Sequence, residues 1–229
     1  RLLKFEPATE LDGAIIPTRP FGAAKAANIV NLRILGTLLD RLFASIVRVL
    51  GAFAAMSPVR VKRGIDPLDQ AQLVARLRNQ ESVCGARTPE MLAWRFRGAG
   101  PIRYQQFGIF RGGRAVGYVV TSDRDVEGTR GRFVVDIVWP DSPSRAATAL
   151  VWLQLAAGAA AAGQHALFIF YNRANKSLRS IVRFPMVTVP RSRLPQRVPI
   201  FVRTTTGTDS LDSVDWNSGY YVLSDLDLF

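Results

Sequence analysis

Between Thr88 and Phe184 the hydrophobic positions repeatedly switch between a strand-like and a helix-like period. Tyr104–Phe110, Ala115–Thr121 and Phe133–Trp139 are runs of strand length rich in β-branched and aromatic residues. Gly112-Gly113 joins the first two as a tight hairpin, and the looser Glu127–Gly131 turn leads into the third. That third run is nearly all apolar, which predicts a central strand covered on both faces. Ser144 caps an Ala-rich helix ending near Gly163, Leu167–Tyr171 reads as a short buried strand, and Asn175–Phe184 as a short helix. Met186–Val189, Ile200–Thr204 and Tyr220–Leu223 are weaker strand signals.

Upstream, residues 1 to about 25 read as irregular because Pro7, Pro17, Pro20 and several glycines punctuate them. Asn31–Phe53 is a helix whose Leu32, Leu35, Leu39, Leu42, Ile46, Val49 and Phe53 fall on one stripe, away from Arg33, Arg41 and Arg48. Such a basic amphipathic helix packs on its own domain or a partner chain, or lies on a membrane surface. Ser57-Pro58 ends it, and Val59–Ile65 reads as a basic connector. Asp66-Pro67 and Thr88-Pro89 each combine a capping side chain with proline at the first helical position, predicting helices to about Asn79 and through Phe96. The expected organisation is an extension over 1–60 and a second domain over 61–229.

Composition narrows the chemistry. Hydrophobic residues make up 48% of the 229, enough for a packed core. Cys84 is the one cysteine and His165 the one histidine, so neither a disulfide framework nor a His/Cys metal centre is expected, and the compartment reads as reducing and cytoplasmic. The net charge of +12 favours anionic partners, among them nucleic acid, lipid headgroups and phosphates. The cations are spread out and lack the interleaved aromatics of a single-strand platform, so no specific nucleic acid is expected. Ala146–Tyr171 carries no formal charge, but the Gly163-Gln164-His165 break reads against a membrane span. The chain begins at Arg1, which predicts a fragment or a processed chain.

The span from Thr88 to about Thr204 resembles the GNAT family of N-acyltransferases. Phe107–Ser122, with Val116-Gly-Tyr-Val-Val120, is similar to the family's second and third strands, Phe133–Trp139 to its fourth, and Leu167–Tyr171 to its fifth. Asn172–Phe184 is similar to the segment in which an Asn begins a helix ending in Gly-Phe. Leu92-Ala-Trp-Arg-Phe96 and Asp225-Leu-Asp227 resemble GNAT-like proteins of bacterial surface-polysaccharide operons, often built from two such halves. The resemblance implies an α/β fold with a mixed, mostly antiparallel sheet flanked by helices, here with an N-terminal helical extension.

It also implies a transferase that passes an acyl group from acetyl-CoA or another acyl-CoA to an amine, without a metal. On these positions it implies that Val135, Ile137 and Val138 offer backbone groups to the cosubstrate. Ser144, Arg145, Asn172 and Arg179 would also bind the cosubstrate, and Asp136 would act as base. The family's acidic Tyr position falls on Arg179 and the Gly of Gly-Phe on Arg183; Arg cannot act as an acid at neutral pH, so Tyr171 is the candidate substitute, and otherwise a core residue at the end of its strand. Pro140–Ser144 stands where the family has a basic, Gly-rich loop. Asp136, alternating with Val135 and Ile137, should project with Val134 and Val138, where a raised pKa would suit a base; the other reading is a structural carboxylate. Trp94 and Trp216 are candidate platforms for an amino-sugar or glycan-precursor acceptor, and otherwise packing residues. Two readings stay open: an N-acyltransferase, or a non-catalytic copy of its fold serving binding or assembly, peripheral to the inner membrane or paired through Asn31–Phe53.

Overall fold

The structure is a computed structural model and describes residues 6–20, 33–81, 83–84, 87–97, 102–126, 129–190, 199–202, 215 and 219–222. Its elements are β1 (Glu6–Glu10), β2 (Asp12–Pro17), α1 (Arg33–Ala55), β3 (Val59–Arg63), α2 (Pro67–Gln80), α3 (Pro89–Arg97), β4 (Tyr104–Arg111), β5 (Arg114–Val126) and β6 (Thr129–Val138). There follow α4 (Arg145–Ala161), β7 (Ala166–Tyr171), α5 (Lys176–Ile181), β8 (Val187–Val189) and β9 (Pro199–Val202). Seven strands form one sheet in the order β3-β4-β5-β6-β7-β2-β8, and β1 pairs with β9 in a separate two-stranded ladder. Only β6 and β7 run parallel, joined by the α4 crossover; the other neighbours are antiparallel. This is the mixed, mostly antiparallel sheet flanked by helices that the family resemblance implies.

The local chemistry follows the capping rules. The Asp66 side chain accepts from Leu68 N at 2.8 Å, Thr88 Oγ1 from Met91 N at 3.2 Å, and Ser144 Oγ from Ala147 N at 3.2 Å. Gly112 and Gly113 both have positive φ, at 57° and 81°, as a two-residue hairpin turn requires. Central β6 is buried along its apolar stretch, and Val134, Val135, Ile137 and Val138 join the core with Tyr118, Val119 and Val120 of β5.

Two segments differ from expectation. Residues 6–17 are not irregular: Asp12–Pro17 is an interior strand whose backbone pairs with β7 on one side and β8 on the other. Val59–Arg63 is not a connector but the edge strand of the sheet, paired with β4. Its Val59 is buried while Arg60, Lys62 and Arg63 remain in solvent, a charged pattern that protects an open edge. Gln154 of α4 fixes this edge. Its side-chain nitrogen donates to Ala54 O and Val59 O, and its oxygen accepts from Val61 N at 2.9 Å.

Helix α1 packs along α4, with Ala44, Val47, Gly51 and Ala54 buried at the contact. A Cβ on Gly51 would collide with the Ala157 side chain and lie 3.0 Å from Leu153 O. Gly51→Ala is therefore expected to cost about 1–3 kcal/mol through overpacking. Urea unfolding checks this, and an unchanged midpoint would disprove the close approach.

His165 ties the start of β7 to the end of β2: its carbonyl accepts from Thr18 N at 2.8 Å and Arg19 N at 2.9 Å, and its own N–H donates to Arg130 O at 2.7 Å. Burial, then the Arg19 charge, lowers the pKa of its imidazole below 6.5. A depressed histidine contributes stability above its unfolded pKa, and that contribution fades as pH falls through the folded value. Stability should decline from pH 7 towards 5, less steeply in His165→Gln; parallel pH profiles would remove His165 as the cause.

Candidate functional site

The parallel ladder between β6 and β7 is short. It runs from Gly131↔Ala166 to Val134↔Ile169, after which β6 continues to Val138 without pairing to β7. Strands that part at their carboxyl ends leave a crevice, the usual ligand position in sheets with parallel strands. A second irregularity lies beside it. In the antiparallel ladder with β5, Asp136 opposes Val120 and Val134 opposes Thr121, so Val135 is an extra residue, a β-bulge in β6.

The bulge reverses the alternation. Asp136 does share a face with Val138, as expected, but Val134 lies on the other face with Thr121. On the Asp136 face the register adds Tyr118 and Val120 of β5. Asp136 is 0% exposed. One carboxylate oxygen accepts from Arg87 Nε at 3.1 Å and the other from the Tyr118 hydroxyl at 3.0 Å. Arg87 itself is 2% exposed and lies over the Tyr220 ring, 5.7 Å from its centroid. Burial, then the Asp136 charge, pushes the Tyr118 phenol well above its ordinary value. The geometry is that of a buried ion pair with a hydrogen-bonded phenol, both partners being side chains.

Arg87 and Tyr118 were not among the candidate residues. Tyr118 sat inside the strand motif and Arg87 beside the Thr88 cap, and neither spacing announces a contact with Asp136.

The crevice is lined and filled by the chain itself. Tyr171 of β7 pairs with Asp12 on its β2 side, and its other edge forms a bridge to Val222. Asn172 N donates to Tyr221 O at 3.1 Å, and the Asn172 side-chain amide donates to Gly219 O at 2.8 Å. Tyr220 N donates to Val83 O at 2.8 Å, and the Tyr220 hydroxyl donates to Ile137 O at 2.9 Å. Gly219–Val222 thus lies in the gap between β6 and β7, and the Ile137 carbonyl, a candidate cosubstrate contact, is occupied by a phenol.

The remaining candidates sit around this gap. Tyr171 is in phase with Ile169 and hence with Val134, which places it on the sheet face opposite Asp136. Burial raises its pKa, opposed by a hydrogen bond with Thr188. Val135 and Val138 are core residues. At the start of α4, Ser144 is exposed but its Oγ caps the helix, and Arg145 is exposed. The N–H groups of Arg145 and Ala146 occupy the first helical turn, beyond reach of an intrahelical carbonyl. Asp141 in the preceding loop forms an exposed ion pair with Arg76 of α2 at 3.1 Å. Arg179 is exposed on α5, and its carbonyl accepts from Arg183 Nε at 3.3 Å. Trp94 projects from α3 at 75% exposure, so it is not a core residue, whereas Trp152 is buried and donates to Ile181 O at 2.8 Å. Trp216 lies outside the described residues, as do Asp225–Asp227. Next to the crevice, a cavity of about 530 Å³ opens between Thr9, Asp12, Asn172, Arg173, Thr188 and Pro190. Among the described residues no cluster of His, Cys, Asp and Glu could hold a metal ion.

No protein-family model matches the chain, and no curated protein matches it. Solved structures do. A GCN5-related N-acetyltransferase from Anabaena variabilis superposes with a TM-score of 0.50 at 9% identity, covering 87% of this chain and 41% of that one. The C-terminal domain of a protein assigned as a lysylphosphatidylglycerol synthetase, from Agrobacterium fabrum, aligns with a TM-score of 0.40 at 8% identity, covering 72% of this chain and 47% of that one. The chain spans less than half the length of either. The first likeness establishes the fold, which is that of the GCN5-related N-acetyltransferases.

Proposed function

We propose that this chain belongs to an acyl-CoA-dependent N-acyltransferase, with the cosubstrate entering where β6 parts from β7. The supporting observation is the conjunction of that parting, the bulge at Val135 and the open first turn of α4 at the carboxyl end of β6. An extended thioester arm needs strand carbonyls and amides freed from ladder pairing. A pyrophosphate needs helix N–H groups, here those of Arg145 and Ala146, with the Arg145 side chain beside them. The adjoining cavity, lined by Thr9, Asp12, Asn172, Arg173, Thr188 and Pro190, would take the acceptor. The acceptor class, an amino-sugar or glycan precursor, follows from the Leu92–Phe96 and Asp225–Asp227 phrases and the exposed Trp94. Gly219–Val222 has to withdraw for any of this to occur.

A second reading is favoured by the same segment. With Tyr220 on the Ile137 carbonyl and Asp136 sealed by Arg87, the fold would serve as a non-catalytic binding or assembly half. Calorimetric titration of the full chain and of Tyr220→Phe with acetyl-CoA decides between them. The first reading expects binding, tighter in Tyr220→Phe, and acyl transfer to an amino-sugar acceptor. Absence of binding by both folded proteins would reject it and leave the second.

A further inference from the structure

We infer that the outward face of α1 is a docking surface for an anionic lipid bilayer. The helix is oriented opposite to the ordinary rule for a soluble protein. Mostly small residues, Ala44, Gly51 and Ala54 with Val47, are buried against α4, while Leu38, Leu42, Ile46, Val49 and Phe53, and Met56 just past the helix end, face solvent. Leu42 is 59% exposed, Phe53 67% and Met56 78%. At 100° per residue the five helical side chains among these fall within an arc of about 80°, and from Leu38 to Phe53 the stripe runs about 23 Å. An apolar strip of that length left in water marks an interaction site.

Charge selects the occupant. Arg41 and Arg48 are both exposed and lie on the same flank of the stripe. The one carboxylate of the helix, Asp40, lies on the far side of the cylinder, about 160° from Leu42. The chain then passes directly into β3, where Arg60, Lys62 and Arg63 are exposed. From Arg33 to Arg63 there are six cations and that single carboxylate. In an antiparallel pairing of two copies through this stripe, like flanks would meet. Arg41 and Arg48 would then face their own counterparts with no carboxylate to accept them. An anionic headgroup layer satisfies the flank, and the acyl boundary beneath it takes the apolar side chains. Among the described residues no helix is long and apolar enough to cross a membrane, so α1 would lie in the interfacial plane.

Flotation of the full chain with phosphatidylcholine vesicles, with and without phosphatidylglycerol, tests the assignment. Binding is expected only with phosphatidylglycerol and should weaken with added salt. Arg41→Gln/Arg48→Gln should bind about tenfold or more weakly, from roughly fivefold per cation. Leu42→Ser/Phe53→Ser should lose binding altogether while keeping its circular dichroism, because both positions are exposed. Equal binding by the serine variant would overturn the proposal. So would failure of the folded full chain to float, whether it stays monomeric or forms a dimer that the serine variant disperses; the latter would assign the stripe to a second copy.

Discussion

Arg87→Ala is expected to cost about 3–5 kcal/mol, because it leaves the Asp136 carboxylate charged, buried and without its cation. Domains of ordinary stability have only about 5–15 kcal/mol to lose, so the variant should melt about 10 °C lower or more. Desolvation argues that the pair itself adds little: replacing both partners with apolar groups removes two buried charges together. Arg87→Met/Asp136→Leu should therefore recover most of what Arg87→Ala loses. A double-mutant cycle by urea unfolding measures both. If Arg87→Ala costs less than about 1 kcal/mol, the ion pair is not sealed as described.

Tyr220→Ala should have the next largest effect, and a functional one besides. Tyr220 is fully buried, and large-to-small changes of aromatic core residues cost about 3–5 kcal/mol. Tyr220→Phe keeps the ring and removes only the hydroxyl that donates to Ile137 O, which should cost about 1 kcal/mol. Comparing the two variants in thermal melts with and without acetyl-CoA separates packing from access to the crevice. A ligand-dependent rise in melting temperature in Tyr220→Phe, larger than in the parent chain, is expected from the acyltransferase reading. Identical melts with and without the ligand in both chains would oppose it.

The elements that were legible in the sequence are those whose signals are local. Gly112-Gly113, the Ser144 cap and the β-branched runs of β4 to β6 each declare themselves within a few residues, and the structure has them at those positions. What was hidden depends on partners far along the chain. Ala14, Ile15 and Ile16 between Gly13 and Pro17 look like an interrupted loop until β7 and β8 supply ladders on both sides. Val59 and Val61 alternate with charges, a pattern that suits an edge strand as well as a linker, and only pairing with β4 decides it.

The site was hidden for a related reason. The inserted Val135 is invisible in a run of apolar residues, yet it moves Val134 to the face opposite Asp136. Arg87 meets Asp136 across 49 residues of chain, in a fold where α2 packs against β5 and β6. For α1 the periodicity identified the stripe, but periodicity does not say which side is buried. Gly51 against Ala157 settled that by allowing the small face, and not the large one, to approach α4.

The place of β2 in the sheet also sets an order of assembly. Residues 12–17 are made before the edges they pair with, residues 166–171 and 187–189. During synthesis β2 therefore waits as a short apolar segment while β3 to β6 and α4 form and pack. The interior slot between β7 and β8 closes only when these strands meet residues 12–17. Contacts of such sequence separation are slow to form because the intervening loop must first be closed. Until then, β7 and β8 each present an unpaired edge, the point at which a folding chain of this topology is most open to pairing with the wrong neighbour.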